Sequence, residues 1–571
     1  MRELIALARE VFKMVHLEEK SLSKAYLALS LEEKVAQLFM MGYEGRYSDL
    51  GKNSFLEKFL KLGLGGIIFF RDNFEPKPGE ARKPDGSDCL SAADVKALLQ
   101  QLKESIPQHL PAPLMGIDQE GGQVERLPHT IFPTAVTPQA LALTEHPEFM
   151  VKSVIGEMAL RLSDLGFNLN FAPTLDVNLH PLNPIIGVRS FGSDPKQVGD
   201  LGLIAMQAYQ NADIIPVGKH FPGHGNGTVD SHEELPTLEF SEAELEPFQR
   251  AIEAGIPAML IAHGFYPALQ KTQDEFELPS SASPTIIQGL LRKRCGFKGV
   301  LMSDDMCMGA ITKHRSPEQA AIASVKAGVD ILLYRTSGES EWRIYEAVLE
   351  AFRSGEIPMS QLDDSLERIA ILKNQFLQSS NEGKNLLADV ALDYSKETCQ
   401  HLADTWAKAA LTELSSTTTE EGQSFQLSKQ ASIVLLHPDR MILGNYAWDV
   451  ATSLNLDQVF REAGYTQLQS LSYSHNAAKN AISEVDTLAS GLVDAIVFVA
   501  FNAVRFTEQQ DLAEAVCQRY PQAELLLVSI GSPNDEQMIT NSSAHWALCS
   551  YRPASMLALV EKLRHFEIEP L

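Results

Sequence analysis

No stretch of this 571-residue chain approaches the roughly 18 consecutive apolar residues needed to cross a bilayer, which argues against a membrane-spanning helix. Cysteine is scarce. The six residues (Cys89, Cys295, Cys307, Cys399, Cys517 and Cys549) are scattered and include no C-x-x-C pair, so neither a disulfide framework nor a zinc ribbon is expected. Basic residues are in deficit, with 48 Lys and Arg against 74 Asp and Glu and a net charge of -26. Such a surface repels phosphate backbones and anionic lipid, which disfavours nucleic-acid and membrane partners. The opening MRELIALAREVFKMVHLEEK breaks its apolar residues with charges at helical spacing and lacks the apolar core and cleavage site of a signal peptide. It reads as a helical extension over 1–29, and the expected location is the cytoplasm. A glycine fingerprint of dinucleotide-binding sheets is missing too, since YEGRYSDLGKN follows the first strand candidate.

What is present is alternation. Short apolar runs recur at 35–42, 65–70, 114–118, 167–173, 214–221, 257–264, 299–305 and 328–334, mostly apolar throughout as strands buried on both faces should be. Between them lie helical signals. Ser30 with Glu33 and Ser241 with Glu244 have capping-box spacing, and Ser283-Pro284 and Ser316-Pro317 place a cap before a first-turn proline. Eight strand–helix units predict an α/β fold, a (β/α)8 TIM-type barrel over 30–395. A helical connector and a polar Ser/Thr-rich linker, SSTTTEEGQSFQ, occupy 396–426. The alternation then restarts with ASIVLLHP, LQSLSY, AIVFVAF, ELLLVSIG and HWALCSY, predicting a smaller C-terminal α/β sandwich domain over 427–571.

Barrel chemistry sits at the C-terminal ends of the strands. Polar residues close five of the eight runs there: Asp118, Asp176, Lys219 with His220, His263, and Asp304 with Asp305. Bare charges in a core are costly, so a functional rim explains them better than packing does. The loop KHFPGHGNGTVDSHEELP (219–236) carries His220, His224, His232 and Asp230 among its glycines. His220 and His224 are four apart, but the Pro-Gly between them forbids the helix that would pair them on a metal, and H-E-x-x-H is absent. Asp230 and His232 read instead as a pair in which the carboxylate orients and strengthens an imidazole able to donate and recover a proton.

The segments IDQEGGQVERL, NFAPTLDVN, GVRSFGSDP, KHFPGHG, DSH, AMLIAH and LMSDDMCMGA, in this order, resemble glycoside hydrolase family 3 from about residue 30 to 375. The KHFPGHG loop followed by DSH resembles more narrowly its β-N-acetylglucosaminidases of peptidoglycan recycling (NagZ-type). The resemblance implies a retaining, exo-acting β-N-acetylglucosaminidase that releases terminal N-acetylglucosamine from muropeptides or small β-linked oligosaccharides. It implies Asp304 as nucleophile, His232 as acid and then base, and Asp230 as its orienting partner. Asp118, Arg126, Arg189, Lys219 and His220 would hold the sugar, and His224 would be structural within its loop. Neither metal nor organic cofactor is required, and the expected partner is a small carbohydrate. The chain departs from the pattern at Gln123, where an arginine is common, and in a long FEPKPGEARKPDGSDC stretch (74–89). Three alternatives stay open: a phosphorylase, a broader β-glucosidase, and a non-catalytic sugar-binding protein.

Overall fold

In a computed structural model, the described residues are 26–44, 54–75, 89–134, 136–228, 234–275, 277–312, 315–378, 392–416, 425–439, 456–474 and 477–563. Asp230, His232, most of the N-terminal extension and most of the 74–89 stretch lie outside them.

Eight parallel strands close into a barrel in sequence order. They are β1 (Phe39–Gly42), β2 (Gly66–Phe69), β3 (Leu114–Ile117), β4 (Leu169–Asn170), β5 (Ile215–Phe221), β6 (Ala258–Ile261), β7 (Val300–Asp305) and β8 (Ile331–Tyr334). Each falls within one of the apolar runs, and all residues of β1 to β6 and β8 are buried, which is why the runs are apolar rather than alternating. The seam closes where Met40 pairs with Leu333 and Met41 with Tyr334. There the Phe39 ring meets Tyr334 at 6.2 Å and the edge of Tyr345 at 5.8 Å between centroids.

At the N-terminal end of β8, buried Asp330 ties the barrel floor together. It accepts from Arg292 (2.8 Å), from Arg368 (2.8 and 3.0 Å), from the Ser365 hydroxyl (2.7 Å) and from the Leu301 amide (2.9 Å).

The capping signals divide. Ser30 and Glu33 form the expected reciprocal box on the helix Leu31–Ala36. Ser316 caps Pro317–Ala327 through the Gln319 amide, and Ser283 accepts from the Ile286 amide. Ser241 caps Glu242–Glu253 through Ala243, but Glu244 does not return to complete a box. Its carboxyl group accepts instead from the backbone (3.1 Å) and side chain (2.9 Å) of Asn226, in the loop after β5.

The second unit is a six-stranded sheet in the order β11-β10-β12-β13-β14-β9. The strands β10 (Ile433–Pro438), β11 (Leu468–Tyr473), β12 (Ala495–Ala500), β13 (Glu524–Ser529) and β14 (Ala544–Ala547) are parallel and coincide with the five apolar runs. The edge strand β9 (Thr412–Ser416) was not anticipated. It lies in the stretch read as connector and linker, and pairs antiparallel with β14. TELSS is polar and half-exposed, as an edge strand should be, so it carries no apolar run to announce it. Two clusters of buried side chains cover the sheet's two faces, while Ala547, Cys549, Ala554 and Ala558 join the barrel's own core. Among the described residues no helix is long and apolar enough to cross a membrane.

Candidate active site

The strand ends on one rim converge on a pocket whose lining includes Asp118, Glu120, Arg126, Arg189, Lys219, His220, Asp304 and Asp305. Six of the eight site residues expected from sequence (Asp118, Arg126, Arg189, Lys219, His220 and Asp304) therefore share one cavity. Asp230 and His232 belong to a segment, residues 229–233, that is not described.

The centre of the site is Lys219, buried near the end of β5. Its ammonium stands 2.9 Å from Asp118 Oδ1 and 2.6 Å from Glu120 Oε1. Arg126 Nη2 reaches the other Asp118 oxygen at 3.3 Å. Arg189 grips Glu120 in a fork, Nε to Oε2 at 2.9 Å and Nη2 to Oε1 at 2.7 Å. Two carboxylates are thus shared among three cations. Burial pushes both carboxyls up. Lys219 and Arg126 outweigh it at Asp118, and Arg189 with Lys219 outweighs it at Glu120, so both are held below the ordinary carboxylate range. They stay ionised in a site whose fixed charges point at the cavity.

Local structure aims these side chains. After β3, the segment Glu120–Val124 turns back in a tight hairpin, with Gly121 and Val124 bridged. Gly121 and Gly122 adopt φ of 102° and 63°, and a Cβ on Gly122 would stand 2.2 Å from the Thr137 methyl, so only glycine fits. That turn sends Glu120 and Arg126 into the same pocket. Gln119 locks its return by accepting from the Arg126 amide (2.8 Å). Across the site, Asn183 ties the loop carrying Arg189 to the loop after β5, donating to the carbonyls of His224 (2.8 Å) and Gly225 (3.0 Å).

His220 is tied to Asp176, a residue noted in the sequence but given no role. Asp176 faces its Nδ1 at 2.6 Å and also accepts from the amides of His220 (3.1 Å) and His224 (2.8 Å). Burial raises the Asp176 carboxyl, and His220 and His224 overcome that and hold it low. Arg189 Nη2 approaches the other ring nitrogen of His220, Nε2, at 3.5 Å. His224 is buried beside it, and burial pushes its pKa down to about 4, so it is neutral near pH 7.

On the opposite wall, β7 ends in Asp304 and Asp305. Asp304 Oδ1 accepts from the Asp305 amide at 2.8 Å. Asp305 is held by the amides of Cys307 (3.0 Å) and Arg335 (3.3 Å), and burial raises its carboxyl. His263 turns away to Ser281 (2.8 Å) and the Asp305 carbonyl (3.2 Å), a supporting position.

Sequence reasoning passed over Glu120, Phe70 and Arg335. Glu120 was legible in principle, since a carboxylate directly before two glycines sits where a turn can redirect it. Phe70 and Arg335 follow β2 and β8 at the mouth, where the guanidiniums of Arg126 and Arg335 lie 5.9 and 5.5 Å from the Phe70 ring centre.

Comparison with known proteins agrees with this architecture. The glycosyl hydrolase family 3 N-terminal domain is matched over residues 30–372. The chain is 33% identical over 344 residues to β-hexosaminidase A of Pseudoalteromonas piscicida, covering 57% of this chain and 55% of that protein, so it spans just over half of that relative's length. It is 33% identical over 274 residues to β-hexosaminidase LpqI of Mycobacterium tuberculosis, covering 46% of this chain and 69% of the other. A solved family 3 β-N-acetylglucosaminidase from a Paenibacillus species superposes with a TM-score of 0.76 at 29% identity, over 94% of this chain and 97% of that one. The fold is shared more distantly with the β-glucoside phosphorylase BglX, with a TM-score of 0.74 at 19% identity, over 95% and 94% of the two chains. With the family domain matched across the whole barrel, the chain belongs to glycosyl hydrolase family 3.

Proposed function

We propose that this enzyme is a retaining, exo-acting β-N-acetylglucosaminidase that removes terminal N-acetylglucosamine from muropeptides or other small β-linked oligosaccharides. The observation that carries the reading is the ion-paired cradle of Asp118, Glu120, Arg126, Arg189 and Lys219 lying across one pocket from Asp304. Carboxylates accept from sugar hydroxyls, and the three cations donate to sugar oxygens. The relatives named β-hexosaminidase and β-N-acetylglucosaminidase support the choice of sugar.

In this mechanism the Asp304 carboxylate attacks the anomeric carbon while the bond to the leaving oxygen breaks, giving a glycosyl ester on the enzyme. His232 gives its proton to that oxygen, with Asp230 holding the imidazole. The neutral imidazole then takes a proton from water, which attacks the anomeric carbon and frees Asp304. Cradle contacts that tighten as charge develops on the ring contribute several kcal/mol to the rate, on the order typical of such hydroxyl contacts.

The test is to trap the intermediate. With a slow fluorinated N-acetylglucosaminide, intact-protein mass should rise by one glycosyl residue, and the modified peptide should contain Asp304. Asp304→Asn should lose turnover, keep sugar binding and show no adduct. An adduct on another residue would move the nucleophile.

A second reading, transfer of the sugar to inorganic phosphate, is favoured by Arg335. Its exposed guanidinium lines the pocket and makes no ion pair among the described residues. Product analysis with and without phosphate separates the two, because only a phosphorylase yields N-acetylglucosamine 1-phosphate.

A further inference from the structure

We propose that Arg552, contributed by the second domain, is a positioning residue of the sugar cradle, fixing the hairpin that carries Glu120 and Arg126. The inference rests on the reading of that cradle as the sugar site.

After β14 the chain enters a short loop, 548–552, before the helix Pro553–Leu563. This loop abuts the hairpin after β3. Arg552 is buried, and its Nη2 donates both to the Gly122 carbonyl (2.9 Å) and to Glu125 Oε2 (3.1 Å). Its Nη1 lies 3.2 Å from His129 Nε2. An arginine cannot accept, so that nitrogen is the acceptor, and the His129 ring proton sits on Nδ1, facing the Thr134 hydroxyl at 2.6 Å. A second strut runs the other way, from the Thr137 hydroxyl to the Cys549 carbonyl at 2.9 Å. Thr137 is the residue against which Gly122 packs with no room for a Cβ.

Two of the residues that Arg552 touches lie in the turn between Glu120 and Arg126. Gly122 is two residues after Glu120, and Glu125 is the immediate neighbour of Arg126. Glu125 is almost wholly buried, with a side chain only 1% exposed, so without Arg552 its charge would lose a direct partner and the turn would have reason to relax. A shift of about 1 Å in a substrate-holding loop is enough to cost a large factor in rate. Arg552 does not line the pocket, so it acts only through the hairpin. A domain that carries none of the proposed catalytic groups thereby becomes part of the sugar-binding apparatus.

The full-length chain provides the test, with an aryl N-acetyl-β-glucosaminide as substrate and free N-acetylglucosamine as competitive inhibitor. Arg552→Met should raise KM and the inhibition constant together, by about tenfold, with a smaller change in kcat. Arg552→Lys, which keeps the charge but lacks the planar fork that spans Gly122, Glu125 and His129, should fall between. Glu125→Gln approaches the same contact from the barrel side and serves if Arg552→Met does not fold. In the double variant the two losses should not multiply. A merely structural arginine would lower the melting temperature while leaving KM and the inhibition constant unchanged, and that result would overturn the proposal. Asp118→Asn separates the two ideas. If it weakens inhibitor binding and the Arg552 and Glu125 variants do not, the positioning role is wrong. If Asp118→Asn has no effect either, the cradle itself has been misread.

Discussion

The two ends of the barrel each set an aspartate against two cations, for opposite purposes. On the floor, Asp330 is enclosed by Arg292, Arg368, the Ser365 hydroxyl and the Leu301 amide. Its oxygens are satisfied by the chain itself, and nothing is left to offer a ligand. On the rim, Asp118 meets Lys219 and Arg126 but also faces an open pocket. The same pairing of charges therefore makes a rivet at one end and a receptor at the other. What differs is whether the last coordination positions are filled by protein or left for a substrate.

Removing each aspartate should separate the two uses. Asp330→Ala strands two part-buried guanidiniums, and the expected cost is about 3 kcal/mol of stability, read by denaturant titration. KM should be unchanged in whatever fraction folds. A shifted KM with intact stability would erase the distinction between the ends.

A buried aspartate far from any such pair shows what the cations contribute. Asp535, in the second domain, is fully buried and, among the described residues, has only the Ala503 amide (2.6 Å) and the Ser529 hydroxyl to offset burial, which pushes its pKa up to about 7. The folded chain holds this proton between about pH 4 and 7 while the unfolded chain has released it. Its contribution to stability is therefore full below about pH 4, falls as pH rises toward 7, and levels off above that. Asp535→Asn should remove a pH-dependent loss on the order of 3 kcal/mol, visible as a flatter unfolding free energy between pH 5 and 8. An unchanged slope would mean that Asp535 is already ionised, and that burial without cations does not neutralise an acid here.

At the rim, Asp118→Asn should lower kcat/KM about a hundredfold, roughly 2.7 kcal/mol, with a smaller effect on stability than Asp330→Ala. Equal stability losses at both sites would make Asp118 another rivet. The smallest effect is expected at Glu244, whose carboxyl burial and the charge of Asp176 raise to about 8. Near pH 7 it is mostly protonated, so Glu244→Gln should change kcat by less than about threefold there and diverge from the parent only above pH 8. Its contribution to stability, present below the ordinary carboxylate range, fades as pH climbs through 8. A large loss at pH 7 would show that the loop after β5 depends on an ionised Glu244.

These contrasts also explain which parts of the molecule were legible from sequence. Strands buried on both faces must be apolar, so β1 to β8, β10 and β12 to β14 stood out, with the alternating β11 beside them, and Asp118, Lys219, His220 and Asp304 followed from the strand ends. Glu120 was hidden because its direction depends on the positive φ of Gly121 and Gly122, which residue type permits but does not impose. Glu244 fitted a capping box by spacing, but the loop it supports, with Gly225 pressed against the Val177 carbonyl, outbid the cap. Arg552 lies more than four hundred residues from the hairpin it holds, a separation that no local pattern spans.

The edge strand β9 has a consequence for synthesis. It leaves the ribosome roughly 130 residues ahead of β14, its ladder partner, so at about 5–20 residues per second it waits on the order of ten seconds with its hydrogen-bonding groups unclaimed. An apolar strand in that position would be an invitation to aggregate. The polarity of Thr412–Ser416, which concealed the strand from sequence reading, is what lets it wait safely in solution until the rest of its sheet arrives.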